Sequence, residues 1–169
     1  DIAHLTSLLG PKTKLLAFTH VSNALGTINP VTQLVALARD RGITTLIDGA
    51  QAVPHQRVSV DEIGADFYVF SGHKGVGPSG AGVLHGRMDL LEAMPPFLGG
   101  GDMIESVSFE GTTFAPVPHK FEAGTPDIAS IIGFGAAIDY LETIGMDEIA
   151  AYEHELLVYA NERLATVPG

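Results

Sequence analysis

The sequence predicts an α/β fold, a mostly parallel sheet with flanking helices. Two observations carry this. Apolar runs of strand length alternate with stretches of helical spacing. Each of the first three runs also ends in a polar loop, the place where ligands gather in open α/β sheets. With 169 residues, 46% of them hydrophobic, the chain can bury one real core. Residues 1–169 are read as a single partial domain.

The elements follow in order. Lys14 to His20, "KLLAFTH", suits a strand buried on both faces, and "VSNALGTINP" leaves it as a loop. Val31 to Arg41 places apolar residues at 31, 34, 35 and 38, a helical stripe closed by Gly42. "ITTLIDGA" is a second buried strand. A short helix around Val60 to Ile63 precedes a third strand, "ADFYVFSG", and "AGVLHGR" from Ala81 is a fourth. Residues 95–126, rich in Pro and Gly, read as irregular. Two helices complete the chain, Ile128 to Ile144 and Asp147 to Thr166, separated by Gly145 as a C-cap.

Composition excludes several functions. The net charge of −11, with no basic stripe, argues against nucleic acid or an anionic membrane surface as a partner. No apolar run approaches a bilayer span and no signal peptide is visible, so a soluble, cytoplasmic protein is expected. The absence of Cys removes disulfides, thiolate metal sites and a cysteine nucleophile from these residues. The histidines outside the third loop, at 4, 20, 55, 85, 119 and 154, show no paired metal spacing and read as structural or solvated. Asp1 at the start and a helical pattern running almost to the last residue suggest a piece of a longer protein.

The loops "THVSN", "DGAQ" and "SGHK" are expected to point into one crevice. Asp48 ends a buried strand, where a carboxylate is poorly solvated unless a cation accompanies it. It either caps its own turn or holds a heteroaromatic nitrogen protonated. Lys74 is either a solvated surface lysine or a Schiff-base amine, with Gly72 and Gly75 allowing close approach and leaving room for a cofactor. Nucleotide readings fail on context: "GVGPSG" contains Pro78 and leads into a strand, and no Gly-Lys-Ser/Thr opens a helix. Ser71 and His73 are either turn and surface residues or ligands of a phosphate monoester. A carboxylate for a pyridinium nitrogen, an amine for an aldehyde and small polar groups for a phosphate together describe pyridoxal 5'-phosphate.

The blocks "THVSNALGTINP", "IDGAQAVPH", "DFYVFSGHKGVGPSGAGVLH", "MPPFLGGGDMI" and "FEAGTPDIASIIGFGAAIDYL" resemble the SufS-type (group II) cysteine desulfurases, class V members of the fold type I pyridoxal phosphate enzymes. The resemblance spans nearly the whole chain. It implies that Lys74 binds the cofactor covalently and moves protons on the substrate. It pairs Asp48 with the pyridine nitrogen, Gln51 with the phenolic oxygen and Ala50 with the ring face. Ser71 and His73 match phosphate ligands, Asn23 a group near the phenolic oxygen and substrate carboxylate, and Thr125 a ligand of the other subunit's phosphate in a homodimer.

Such enzymes convert L-cysteine to L-alanine, leaving a persulfide on an enzyme cysteine for a SufE-like acceptor and iron–sulfur cluster assembly. The resemblance therefore implies the latter part of the large domain. A small domain with the nucleophilic cysteine, and an upstream segment with more cofactor contacts, lie outside it, so weak or absent cofactor binding is expected of the piece alone. The residues depart from the family at Gly75 and Val76, where a bulkier pair is common, and at Leu98, where an acidic residue often stands. The competing readings are a selenocysteine lyase, another class V aminotransferase or lyase, and an inert structural piece.

Overall fold

The computed structural model describes residues 1–168. Asp1 caps a first helix, α1 (Ile2–Leu8), by accepting the Ala3 and His4 backbone N–H groups at 2.8 and 3.3 Å. Then come β1 (Leu15–Thr19), α2 (Val31–Arg39), β2 (Thr44–Asp48), α3 (Val60–Ile63) and β3 (Phe67–Ser71). A single 3-10 turn, Gly72–Gly75, leads on to β4 (Gly82–Gly86) and α4 (Met88–Ala93). The hairpin β5 (Ile104–Val107) and β6 (Thr112–Phe114) and the helices α5 (Ile128–Ile144) and α6 (Met146–Leu164) follow.

The main sheet has the order β1-β2-β3-β4. β1, β2 and β3 run parallel, whereas β4 returns antiparallel to β3 because the Gly72–Ala81 link carries no full crossover helix. The apolar stripe of α2 buries Val31, Leu34, Val35 and Ala38. Val31 and Val35 pack with Ile47, Ile63, Ala65 and Tyr68, while Ala38 meets Leu16 and Ile43. Each large aliphatic side chain removed from water here contributes about 2 kcal/mol. Gly42 turns α2 into β2 with φ +65°, and Gly145 ends α5 by donating its N–H to the Leu141 carbonyl at 2.9 Å.

Two departures from the sequence expectations concern local order. The stretch 95–126 contains the β5–β6 hairpin, whose seven strand residues are all exposed and so lack the half-buried alternation that marks a strand. Helices α1 and α4 are short and bury no residue fully, leaving no apolar stripe to read.

The chain exposes more surface than a compact monomer of its mass. The accessible area is 11287 Å², against about 7,900 Å² for a compact chain of this mass. α6 buries no residue, and Ile128, Ile131, Ile132 and Ile138 of α5 are exposed. Among the described residues no single helix is long and apolar enough to cross a membrane.

At the sheet end opposite the three loops, one carboxylate joins three strands. Asp66 accepts the Thr45 N–H at 2.8 Å and the Thr45 hydroxyl at 3.0 Å, and receives Arg87 Nη1 at 2.8 Å. Thr45 is 1% exposed, so its N–H has no water to replace that bond. Asp66→Ala is expected to lower the unfolding free energy by about 2 kcal/mol, read from the urea midpoint at unchanged m-value.

Candidate functional site

Parallel pairing builds the site. Thr19 of β1 faces Asp48 of β2, so these two strands end level, and Asp48 faces Val69 of β3, which runs on to Ser71. The loops they release stand side by side on the edge where ligands bind in open α/β sheets. Asp48 lies at the centre. Its carbonyl accepts the His20 N–H and its Oδ1 accepts the Ala50 N–H at 2.9 Å. The carboxylate is exposed and has no ion-pair partner among the described residues, which corrects the expectation of a poorly solvated group. It does cap its own turn, and its second oxygen remains open to a ligand.

On one side of Asp48, Gln51 and Asn23 are joined by a hydrogen bond from the Gln51 amide to the Asn23 side-chain oxygen. Two loops thereby present one amide pair. On the other side, Ser71 ends β3 half-buried, and the 3-10 turn carries His73 and Lys74, both exposed. Lys74 has no ion-pair partner among the described residues. The loops form a ledge open to solvent in this chain, where the sequence suggested a crevice. Thr125 is exposed in the segment that precedes α5. Its neighbours Gly124, Pro126 and Asp127 line a separate depression of about 570 Å³ with Gly80, Gly82 and Leu98.

Two glycines near Lys74 allow a close approach within the chain itself. A Cβ on Gly72 would lie 3.1 Å from Phe134, and one on Gly77 would lie 2.9 Å from the same ring. These two admit Phe134 of α5 against the turn, so they make room for a helix. Phe134 also packs with Ala81 and Ala137. Asp127 caps α5, and Ser130 Oγ donates to the Ser79 carbonyl at 3.1 Å, fastening the helix to the same loop. Val76 closes the turn at φ +53°, a left-handed conformation that a β-branched residue adopts only under strain.

Beneath the ledge lies a buried pair that sequence reasoning did not assign to the site. His20 Nδ1 is 2.9 Å from the Tyr68 hydroxyl, and His20 Nε2 is 3.2 Å from the Gln56 amide nitrogen. Burial pushes the His20 imidazole below its ordinary pKa. Burial, and then the negative charge of Asp48, push the Tyr68 phenol up to about 12. The one available signal was polar: Tyr68 stands within an otherwise apolar strand, and a buried hydroxyl requires a partner. His55, by contrast, is exposed and bonds Glu153 of α6 at 2.9 Å.

The donor set fits pyridoxal phosphate by its chemistry. An open carboxylate suits a protonated ring nitrogen, an unpaired amine an aldehyde, the amide pair a phenolic oxygen, and Ser71 with His73 a phosphate.

The chain matches the Aminotransferase class-V family over residues 1–169. It belongs to that family. This class-V chain is 56% identical over 169 residues to a cysteine desulfurase of Serratia proteamaculans, an alignment covering 99% of the chain and 42% of the relative. The crystal structure of the cysteine desulfurase CsdA from Escherichia coli superposes with a TM-score of 0.96 at 40% identity, covering 100% of the chain and 42% of CsdA. The cystine C-S lyase C-DES, solved with its product cysteine persulfide, gives 0.77 at 29% identity, covering 86% of the chain and 40% of C-DES. The chain thus spans about two fifths of the length of the relatives it matches. These likenesses bear out the α/β reading with a mostly parallel sheet.

Two outcomes are expected here. Val76→Gly should raise the thermal midpoint, by a stabilisation of about 1 kcal/mol, because an exposed side chain is lost and the left-handed strain with it. His20 should titrate below 6.5 by NMR. The unfolded chain then binds the proton more readily than the folded one, so this contribution to stability is complete above pH 6.5 and is lost as the pH falls through the folded pKa. Replacing His20 by Gln should flatten that part of the stability profile.

Proposed function

We propose that this chain is the lysine-bearing part of a pyridoxal-phosphate-dependent cysteine desulfurase of the SufS type. One observation carries the reading. An unpaired lysine amine and an open carboxylate stand at the ends of adjacent parallel strands, in a class-V chain whose relatives include cysteine desulfurases. Pyridoxal phosphate supplies an electron sink when bound.

The residues divide the work. Lys74 attaches the cofactor and then moves a proton at the substrate's Cα. Asp48 accepts the hydrogen bond of the ring N–H and favours its charged form. Gln51 and Asn23 address the phenolic oxygen, with Asn23 also near the substrate carboxylate, and Ala50 packs on the ring face. Ser71 and His73 hold the phosphate, and Thr125 reaches the phosphate of the second subunit in a homodimer.

In the overall reaction the substrate's Cβ–S bond breaks and a sulfur–sulfur bond forms: L-cysteine and an enzyme thiol give L-alanine and an enzyme persulfide. With no Cys among these 169 residues, the thiol comes from elsewhere in the protein. We read residues 1–169 as the latter part of the cofactor-binding large domain. The apolar faces of α5 and α6 are left for further protein to cover, and the persulfide for a SufE-like acceptor feeding iron–sulfur cluster assembly. The fold shared with C-DES keeps a carbon–sulfur lyase as the second reading.

Borohydride reduction of the protein loaded with pyridoxal phosphate should label Lys74, and labelling of another lysine would sink the assignment. Lys74→Ala should lower turnover by roughly 10²–10⁴-fold. Equal yields of alanine and persulfide from L-cysteine mark a desulfurase; a keto acid marks a lyase or an aminotransferase.

A further inference from the structure

We propose that Tyr68, held by His20, is a positioning residue for the Asp48 carboxylate. The inference rests on the reading of Asp48 as the partner of the ring nitrogen, and it extends that reading one layer inward. Tyr68 is 1% exposed and belongs to β3, so its backbone is fixed by pairing on both sides. Its phenol runs directly beneath the Asp48–Gly49 turn. A Cβ on Gly49 would fall 2.0 Å from Tyr68 Cε1 and 2.2 Å from its hydroxyl oxygen, so only glycine allows the contact.

His20 holds the turn and Tyr68 together. Its backbone N–H donates to the Asp48 carbonyl at 2.8 Å, and its ring meets the Tyr68 ring edge-on at 6.1 Å between centroids. The Gln56 amide nitrogen faces Nε2, which therefore accepts, leaving the proton on Nδ1 to be donated to the Tyr68 oxygen at 2.9 Å. A protonated imidazole would set two donors against each other at Gln56, so the network is complete only with His20 neutral.

The consequence concerns placement. Asp48 is exposed, and an exposed carboxylate on a loose turn would spread over several positions; hydrogen bonds weaken steeply with misalignment. The Gly49 N–H donates to the Val69 carbonyl at 2.8 Å, and the phenol closes the remaining direction from below. Tyr68 thus limits where the turn can settle while touching neither substrate nor the reacting atoms.

The test uses the cofactor-loaded protein. Tyr68→Phe keeps the ring and removes the oxygen that His20 holds. The pH midpoint of the Lys74-bound chromophore is expected to move by about half a unit or more, and cofactor dissociation to strengthen about five-fold. Gln56→Met, which frees the imidazole from the far side, should move both in the same direction and serves if Tyr68→Phe does not fold. In an Asp48→Asn background Tyr68→Phe should add nothing further, whereas a purely structural role would add equally in both backgrounds. Lys74 labelled with midpoint and dissociation unchanged in both variants overturns the proposal alone. Label on a different lysine overturns the Asp48 reading and the proposal with it.

Discussion

The register Thr19↔Asp48↔Val69 is the constraint on which the rest of the structure depends. Three parallel strands held in that register release their loops on one edge of the sheet. Each polar group on the ledge owes its place to that alignment: the Asn23 and Gln51 pair comes from two of the loops, and Lys74 from the third. A slip of one residue in β2 would turn Asp48 to the other face of the sheet and bring a buried side chain out in its place. The buried Ile47, with Val31 and Val35 of α2 packed around it, prevents that slip. The core therefore sets the site's geometry through strand register and not through contact with the functional groups.

A second layer of control comes from how closely backbones approach. Gly49 lets Tyr68 pass under the Asp48 turn, and Gly72 with Gly77 lets Phe134 of α5 press against the turn that carries Lys74. In both places a glycine gives up its Cβ so that an aromatic ring can support a functional loop from inside. The outer surfaces are handled differently. The exposed isoleucines of α5 and the unburied α6 leave an apolar face that the 168 described residues do not cover.

Legibility followed burial. α2 announced itself because its apolar stripe at 31, 34, 35 and 38 is the face that packs on the sheet. The three parallel strands were readable because their runs are short and continuously apolar, although β1, expected to be buried on both faces, is an edge strand that exposes Leu15, Ala17 and Thr19. α1, α4 and the β5–β6 hairpin were not, since they bury little and are held by caps, turns and ladder bonds that leave weak traces in hydrophobic spacing. For α1 the trace was a single Asp at the N-cap.

By itself the sequence determined the parallel α/β core, the polar identity of the three loops, and the combination of Asp48, Lys74, Ser71 and His73 that points to one cofactor. Those are properties of residue type and local spacing, which a chain carries before it folds. Only the tertiary structure decided that Asp48 is open to solvent and bonded to the Ala50 N–H, and that Gly72 and Gly77 near Lys74 admit Phe134. It alone brought His20, Gln56 and Tyr68 together under the ledge. Their partnership joins residues 48 and 36 positions apart, and strand pairing, not spacing along the chain, sets that distance.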